Sequence, residues 1–451
     1  MGQAIDRLAD FVASTRWEHI PDAVRDHARL VLLDTVGVML AGSERPEVAN
    51  LRARLGSTGT GVTLLARGWG THDARTAALL NGMAGRAIEL CEGLRLVSGQ
   101  AAIQVLPGIL AIAQARHASG RDLLSAFVVG YETAGRLCTA FTARPLAHQN
   151  GQASLLAAAA AGARMAGLDG EGVSRAMRIS TTLLLTPSYT NVVAGATTLN
   201  VAGGMSGFVG ALAPELAQAG FTAQPDAIEE ALGQMVGAGF DTGHLLDDLG
   251  SSWAIMRNYF RLYACCNPIH PALDALHVAL AQLRPQPDQI ERIDIATYRF
   301  AAVMKNPEPP NFFASKYSLP HAAAVLVVRG RLSHAALDDS ALDDPRVAML
   351  RRRVHIEEDP AMSERAPRLR PARVTVLLKD GRSATHAVES HRGDFNQPFE
   401  RAEILGKFRE LAGHVLTGEG VQQAESMLLS LDTIADFDQA IASLRPHVLT
   451  A

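Results

Sequence analysis

From Arg261 to Asp274 the chain reads Arg-Leu-Tyr-Ala-Cys-Cys-Asn-Pro-Ile-His-Pro-Ala-Leu-Asp, so a guanidinium, two thiols and an imidazole crowd into the ten positions ending at His270. Proline fixes φ and disfavours helix at the residue before it, so Pro268 and Pro271 predict a bent connection over 265–269 and a helix starting at His270-Pro271. Polar groups gathered at a helix entry beside a domain junction make this a place to look for a ligand site. Packing and capping at a hinge is the competing reading of the same spacing.

Three other places carry groups that could move protons. Glu89-Leu-Cys91-Glu92 ends an apolar helical run, where acids oppose the helix dipole and need some other reason to be there; a solvated turn is the alternative. His148 precedes an Ala-rich helix and could shuttle protons near neutrality, or be a surface histidine. His321 follows Ser318-Leu-Pro320 at a further helix start, where the dipole favours a neutral imidazole, or where the ring simply packs. Loops are read over 93–100 and 186–191, and these groups form the candidate set. Helix starts recur in it, and their free N–H groups suit carboxylate binding.

Other chemistries are not encoded. Glycine-rich Ala202-Gly-Gly-Met-Ser-Gly207 lacks the lysine of a phosphate loop, and there is neither a Gly-x-Ser-x-Gly elbow nor a His-Glu-x-x-His pair. Cys265-Cys266 without a second ligand pair nearby is no zinc motif, so no metal or cofactor is expected.

The composition is that of an ordinary globular chain: 451 residues, 48% apolar, 20% charged, formal net charge −4. That length predicts two or three domains, and that charge gives no case for nucleic acid or an anionic membrane. Four cysteines, two of them adjacent, make no disulfide framework, and reduced thiols in the cytoplasm are expected. No secretory signal, myristoylation site or membrane span is read. Lysine occurs only at 305, 316, 379 and 407, while arginine is abundant.

The elements that must position these groups change style along the chain. Helical periodicity runs over 22–42 (with Gly42 as C-cap), 73–90, 107–117, 123–137 behind a Ser119–Asp122 start, 149–167 and 199–220. Residues 1–262 are therefore read as one all-helical domain. Alternation then predicts a strand over 290–298 and another over 353–357, and 373–378 and 383–388 form a hairpin about Asp380-Gly381. A helix over 319–328, ended by Gly330, lies among them, so 263–395 is read as an α+β domain. Helical periodicity returns over 402–411, 421–430 and 437–444, so 396–451 is expected to rejoin the helical domain.

Six stretches in order resemble the MmgE/PrpD family of 2-methylcitrate dehydratases, cis-aconitate decarboxylase and iminodisuccinate epimerase. They are Ala28–Gly42, Ala78–Glu89, Gly120–Glu132, Tyr263–Ala275, Lys316–Pro320 and Gly393–Pro398. The resemblance implies a large helical domain built from both chain ends, a smaller α+β domain between, a homodimer, and cofactor-free chemistry on small polycarboxylates in the cleft. By its pattern Glu89 stands at the first aspartate of an Asp-x-Asp-Asp run, with Cys91 and Glu92 at the later ones. Gln100 takes the place of a histidine, while His148 is kept. Leu199 replaces a lysine and Arg261 another; Cys266 falls where decarboxylases carry histidine. His270 is kept, and His321 replaces a tyrosine.

The expected function is a cofactor-independent lyase or isomerase that removes a proton next to a carboxylate or carbonyl of a small organic acid, with dehydration favoured. His148 and His321 are the acid/base pair, Glu89 a supporting base, Arg261 the clamp, and Gln100, His270, Cys266 and Tyr189 substrate contacts. Epimerisation of a dicarboxylate, a ring-forming or isomerising step, and a catalytically silent binding protein are the alternatives.

Overall fold

The computed structural model describes residues 2–450 other than 96 and 98. Helix Thr198–Gln218 runs through the middle of the helical part, packed against Ala74–Ala87, Ala101–Ala115 and Ala153–Met165. Small residues make this packing possible. A Cβ on Gly162 would sit 1.8 Å from the carbonyl oxygen of Gly210, so the two helices touch backbone to backbone. Gly42 has the same role: it is the last residue of helix Asp22–Gly42, and a Cβ there would lie 1.9 Å from the Ala84 carbonyl oxygen. Close approach to the next helix, rather than a left-handed cap, explains that glycine.

Two expectations need correcting here. The helix expected from Pro107 begins at Ala101 and carries Pro107 inside it. Proline in a helix interior forfeits a hydrogen bond, yet this helix continues to Ala115 and packs on Thr198–Gln218. The part read as all-helical also contains three two-stranded antiparallel pairs, Val62–Thr63 with Thr71–His72, Gly93–Leu94 with Asn258–Tyr259, and Phe141–Ala143 with Gly237–Phe240. Strands so short leave no alternation to read.

Beyond residue 263 the main feature is a four-stranded sheet. Its order is Ser383–Val388, Ala372–Leu378, Ile290–Thr297, Val354–Glu358; the last pair is parallel and the others antiparallel. Ile293 pairs with Val376 and Ile295 with Val374, which puts their side chains on the buried face. Helix His270–Leu283 covers the hairpin strands on that face. Helix Arg401–Ala412 packs back on Asp22–Gly42, where Phe408 is buried against Gly37 and Lys407 Nζ lies 2.6 Å from Asp34 Oδ1.

Candidate functional site

Helix Ala74–Ala87 starts on Asp73, whose carboxylate accepts from the N–H groups of Arg75 and Thr76. It stops at Ala87, and two residues later Glu89 adopts φ 51°. A left-handed non-glycine residue costs roughly 1–2 kcal/mol, so something must hold it. Arg261 Nη1 lies 2.5 Å from Glu89 Oε1 and 3.1 Å from the Glu89 carbonyl oxygen. From the other side Arg86 Nη2 donates to Oε2 at 2.7 Å, and the Tyr317 hydroxyl donates to the same oxygen at 3.0 Å. Arg86, Glu89 and Arg261 are all at most 2% exposed.

Burial alone would keep Glu89 protonated, but Arg86 and then Arg261 outweigh it and hold the carboxyl well below the usual carboxylate range. Glu89 is thus an anion fixed between two cations. Arg261 also borders the cavity, and its buried Nε has no protein partner.

That cavity, of ≈ 240 Å³, opens above Glu89 and Arg261 and is also bordered by Gln100, His148, Tyr189 and Cys266. His148 and Tyr189 are brought there together, because His148 N–H donates to the Pro187 carbonyl at 2.8 Å and Tyr189 N–H to that of Leu146 at 3.0 Å. Their rings stack, 5.7 Å apart and 12° from parallel. His148 Nδ1 accepts from Asn150 N–H at 3.2 Å, which leaves the proton of a neutral ring on Nε2. Burial, then Arg86, pushes the imidazole down to about 3. The expected shuttle near neutrality is therefore corrected: in the unliganded site His148 is a neutral N–H donor. Gln100 is the N-cap residue of helix Ala101–Ala115, and its buried Oε1 has no partner. Burial pushes the Cys266 thiol well up, so it borders the cavity as a thiol.

Two of the expected residues lie elsewhere. His321 is fully buried and does not border the cavity; its Nδ1 faces Arg351 Nη1 at 3.5 Å, and burial, then Arg351, holds the ring at about 3. Its N–H caps onto Ser318 Oγ, so the helix start is real but this side chain packs inward. His270 is also buried outside the cavity. Its Nε2–H donates to the Cys265 carbonyl at 3.1 Å, and the ring packs edge-on against Tyr263 and His391, so it fixes the bend instead of touching a ligand.

The cavity also gathers groups that the sequence reading passed over. Tyr317 sits one turn before His321 and takes the position expected of it, on Glu89. Arg370, hydrogen-bonded to Asn267, and exposed Arg144 add two more guanidiniums to the border. Arg86 had a visible signal, since it stands three residues before Glu89 on the same helical face. Arg370 had none, because it arrives from the turn before a strand far along the chain. Among the described residues no cluster of His, Cys, Asp or Glu could hold a metal ion, and no helix is long and apolar enough to cross a membrane.

The cavity thus brings a buried carboxylate, a buried guanidinium and a neutral imidazole to one border. Comparison with known proteins gives the family. Residues 6–241 match the MmgE/PrpD N-terminal domain and residues 263–433 the MmgE/PrpD C-terminal domain. The chain belongs to the MmgE/PrpD family. It is similar to cis-aconitate decarboxylase of Aspergillus terreus, 25% identical over 474 residues that cover 97% of this chain and 95% of the relative. The cis-aconitate decarboxylase-like protein oryM of Aspergillus oryzae is 26% identical over 480 residues (98% and 97%). Human cis-aconitate decarboxylase is 23% identical over 442 residues (93% and 89%).

Proposed function

We propose that this chain is a lyase acting on a small di- or tricarboxylic acid bound over Glu89, with Arg261 as the clamp. The observation that carries the reading is that Glu89 and Arg261 border the cavity beside His148, with Arg86 bonded to Glu89 from outside it. A substrate carboxylate that docks on Arg261 competes with Glu89 for the guanidinium and so raises the basicity of Glu89. Its negative charge also offsets Arg86 and Arg261, which favours the imidazolium form of His148. Substrate binding thus turns an inert anion and a neutral ring into a base and an acid.

In the dehydration that follows, Glu89 takes the proton from carbon next to the clamped carboxylate, and the electron pair moves toward that carboxylate. Arg261 and Tyr317 face the developing charge. As the double bond forms, the hydroxyl on the neighbouring carbon leaves as water with a proton from His148. Residues 263–395 are read as a lobe over a helical body built from both chain ends, consistent with a cavity bordered by Gln100 and His148 on one side and Asn267, Tyr317 and Arg370 on the other.

The similarity to cis-aconitate decarboxylases favours a second reading on the same floor. A substrate carboxylate leaves as carbon dioxide, its bonding pair passes into a conjugated carboxylate on Arg261, and His148 protonates carbon.

Incubation of the protein in deuterated water with hydroxy-di- and unsaturated tricarboxylates, followed by proton NMR and carbon dioxide release, separates the two. Alkene formation without carbon dioxide supports dehydration, and carbon dioxide with a deuterated product supports decarboxylation. No turnover and no C–H exchange across the panel sinks the enzyme reading.

A further inference from the structure

The largest cavity described, ≈ 460 Å³, contains neither Glu89 nor His148. It lies between helix His270–Leu283, the loop after helix Leu319–Arg329, the end of strand Ser383–Val388 and helix Arg401–Ala412. Its walls are apolar, with Leu262, Leu326, Val388 and Leu411 among them. Yet three buried polar atoms on its border have no protein partner: Ser390 Oγ, Ser333 Oγ and His334 Nδ1. Ser390 is only 5% exposed. A buried polar atom with no partner costs on the order of 1–3 kcal/mol, and three such atoms on residues of one border mark the polar side of this space.

The charges at the mouth give that end a sign. Arg331, on the same loop as Ser333 and His334, is exposed and makes no hydrogen bond or ion pair among the described residues. The facing acids are Asp274 and Glu410. Asp274 already accepts from the Tyr263 hydroxyl and the Arg392 N–H, each at 2.7 Å, and exposed Glu410 lies by the Ala335 N–H. Lys407 is held by Asp34 and the Leu90 carbonyl. Arg392 Nη2 is held by Glu403, and His277 and Gln397 also border the space; the donors that sit with the unpartnered atoms are Arg331, the two serine hydroxyls and the His334 ring.

We infer that this second cavity is a binding site for an amphipathic monocarboxylate, its apolar tail against Leu262, Leu326, Val388 and Leu411 and its carboxylate at Arg331, Ser333 and Ser390. The site is independent of the lyase reading, because it can fill whether or not the cavity over Glu89 turns anything over. It is nonetheless adjacent in the chain: Leu90 and Leu262 border it while Glu89 and Arg261 border the other cavity.

Isothermal titration calorimetry of the full chain with octanoate tests this, with 1-octanol as the uncharged probe. Saturable one-to-one binding of octanoate is expected, with 1-octanol at least tenfold weaker. Ser390→Phe should abolish the heat. Arg331→Glu, a surface change that leaves the core intact, should weaken octanoate at least tenfold and leave 1-octanol unchanged, while Arg144→Glu at the mouth of the other cavity should change neither. Absence of saturable octanoate binding, unchanged affinity in Arg331→Glu, or loss of binding in Arg144→Glu instead, would each overturn the assignment.

Discussion

Arg261 grips Glu89 twice through one nitrogen, by the side-chain carboxylate at 2.5 Å and by the backbone carbonyl at 3.1 Å. The same guanidinium therefore fixes both the charge of Glu89 and the left-handed backbone that presents it. Its other terminal nitrogen lies 3.2 Å from the Tyr259 hydroxyl, which locks its plane. Lysine has one charged atom where this geometry uses a fork.

Glu89→Gln is expected to reduce turnover by about 10²–10⁴-fold, the usual range for loss of a positioned base. It also leaves two buried guanidiniums facing a neutral amide, and breaking a buried pair in this way costs about 3–5 kcal/mol. Urea unfolding and steady-state assay of the same preparation check both. Wild-type turnover in that variant would remove Glu89 from the chemistry.

The pH dependence should be flat where an ordinary histidine base would bend it. In the free site Glu89 is ionised and His148 neutral throughout the neutral range, because burial and then Arg86 hold the ring at about 3. The profile of kcat/KM reports the free enzyme, so it should show no inflection between pH 5.5 and 8.5 (a working range of about three units around neutrality). An inflection near the ordinary imidazole value would restore His148 to the role of a shuttle in the free protein.

His321→Leu should leave kcat/KM within about threefold of wild type, since the ring borders no part of the cavity and its Nε2 has no partner. Replacing a buried unpaired polar group by an apolar one of similar shape is close to neutral. A loss of a hundredfold or more in steady-state rate would show that His321 reaches the substrate after all.

Acidification should destabilise the fold before it touches the carboxylates on the surface. Burial is the leading cause that lowers His148 and His321 to about 3 and His391 to about 4. Their folded values lie below the unfolded value, so the stability they contribute is present above about pH 6.5 and is lost as pH falls toward 3–4, by about 1.4 kcal/mol per pH unit for each ring. Glu92 opposes them: burial raises it to about 7, so its contribution fades as pH rises through that value. Burial also lowers His334 to about 3 and lowers His270, while it raises Asp34, Glu132 and Asp274 on the side of Glu92; with five rings against four carboxyls, the urea midpoint at pH 5.5 should lie below that at pH 7.5. Equal midpoints would contradict the assignment of these rings as neutral.

Two glycines give opposite results. Gly162→Ala forces a methyl group to 1.8 Å from the Gly210 carbonyl oxygen and should cost about 1–3 kcal/mol or more. Gly406→Ala, inside helix Arg401–Ala412 with open space around it, should stabilise by about 0.5–1 kcal/mol. Thermal unfolding of the pair measures both, and equal shifts would contradict the backbone-to-backbone packing.

The helices were legible in the sequence because their apolar stripes repeat over ten or more residues: 22–42 is helical at both named ends, and the 319–329 helix does end on left-handed Gly330. The hairpin about Asp380-Gly381 was legible from its turn residues. What the sequence could not convey is which way a side chain faces at a helix start. His321 and Tyr317 are both near one, yet only Tyr317 points at Glu89. The pairing of Glu89 with Arg261, 172 positions apart, depends on where two chain segments cross. Arg86 was within reach of local reasoning, since an acid at the unfavourable end of a helix with arginine three residues earlier already asks to be paired.

Lys407, in helix Arg401–Ala412, donates to the carbonyl oxygen of Leu90 at 2.8 Å, and Leu90 is the residue next to Glu89. The loop that presents the central carboxylate is thus tied down by a segment 317 residues further along the chain. A nascent chain emerging from the ribosome can form helix Ala74–Ala87 early, but the cavity beside it has to wait for helix Arg401–Ala412 before its geometry is set.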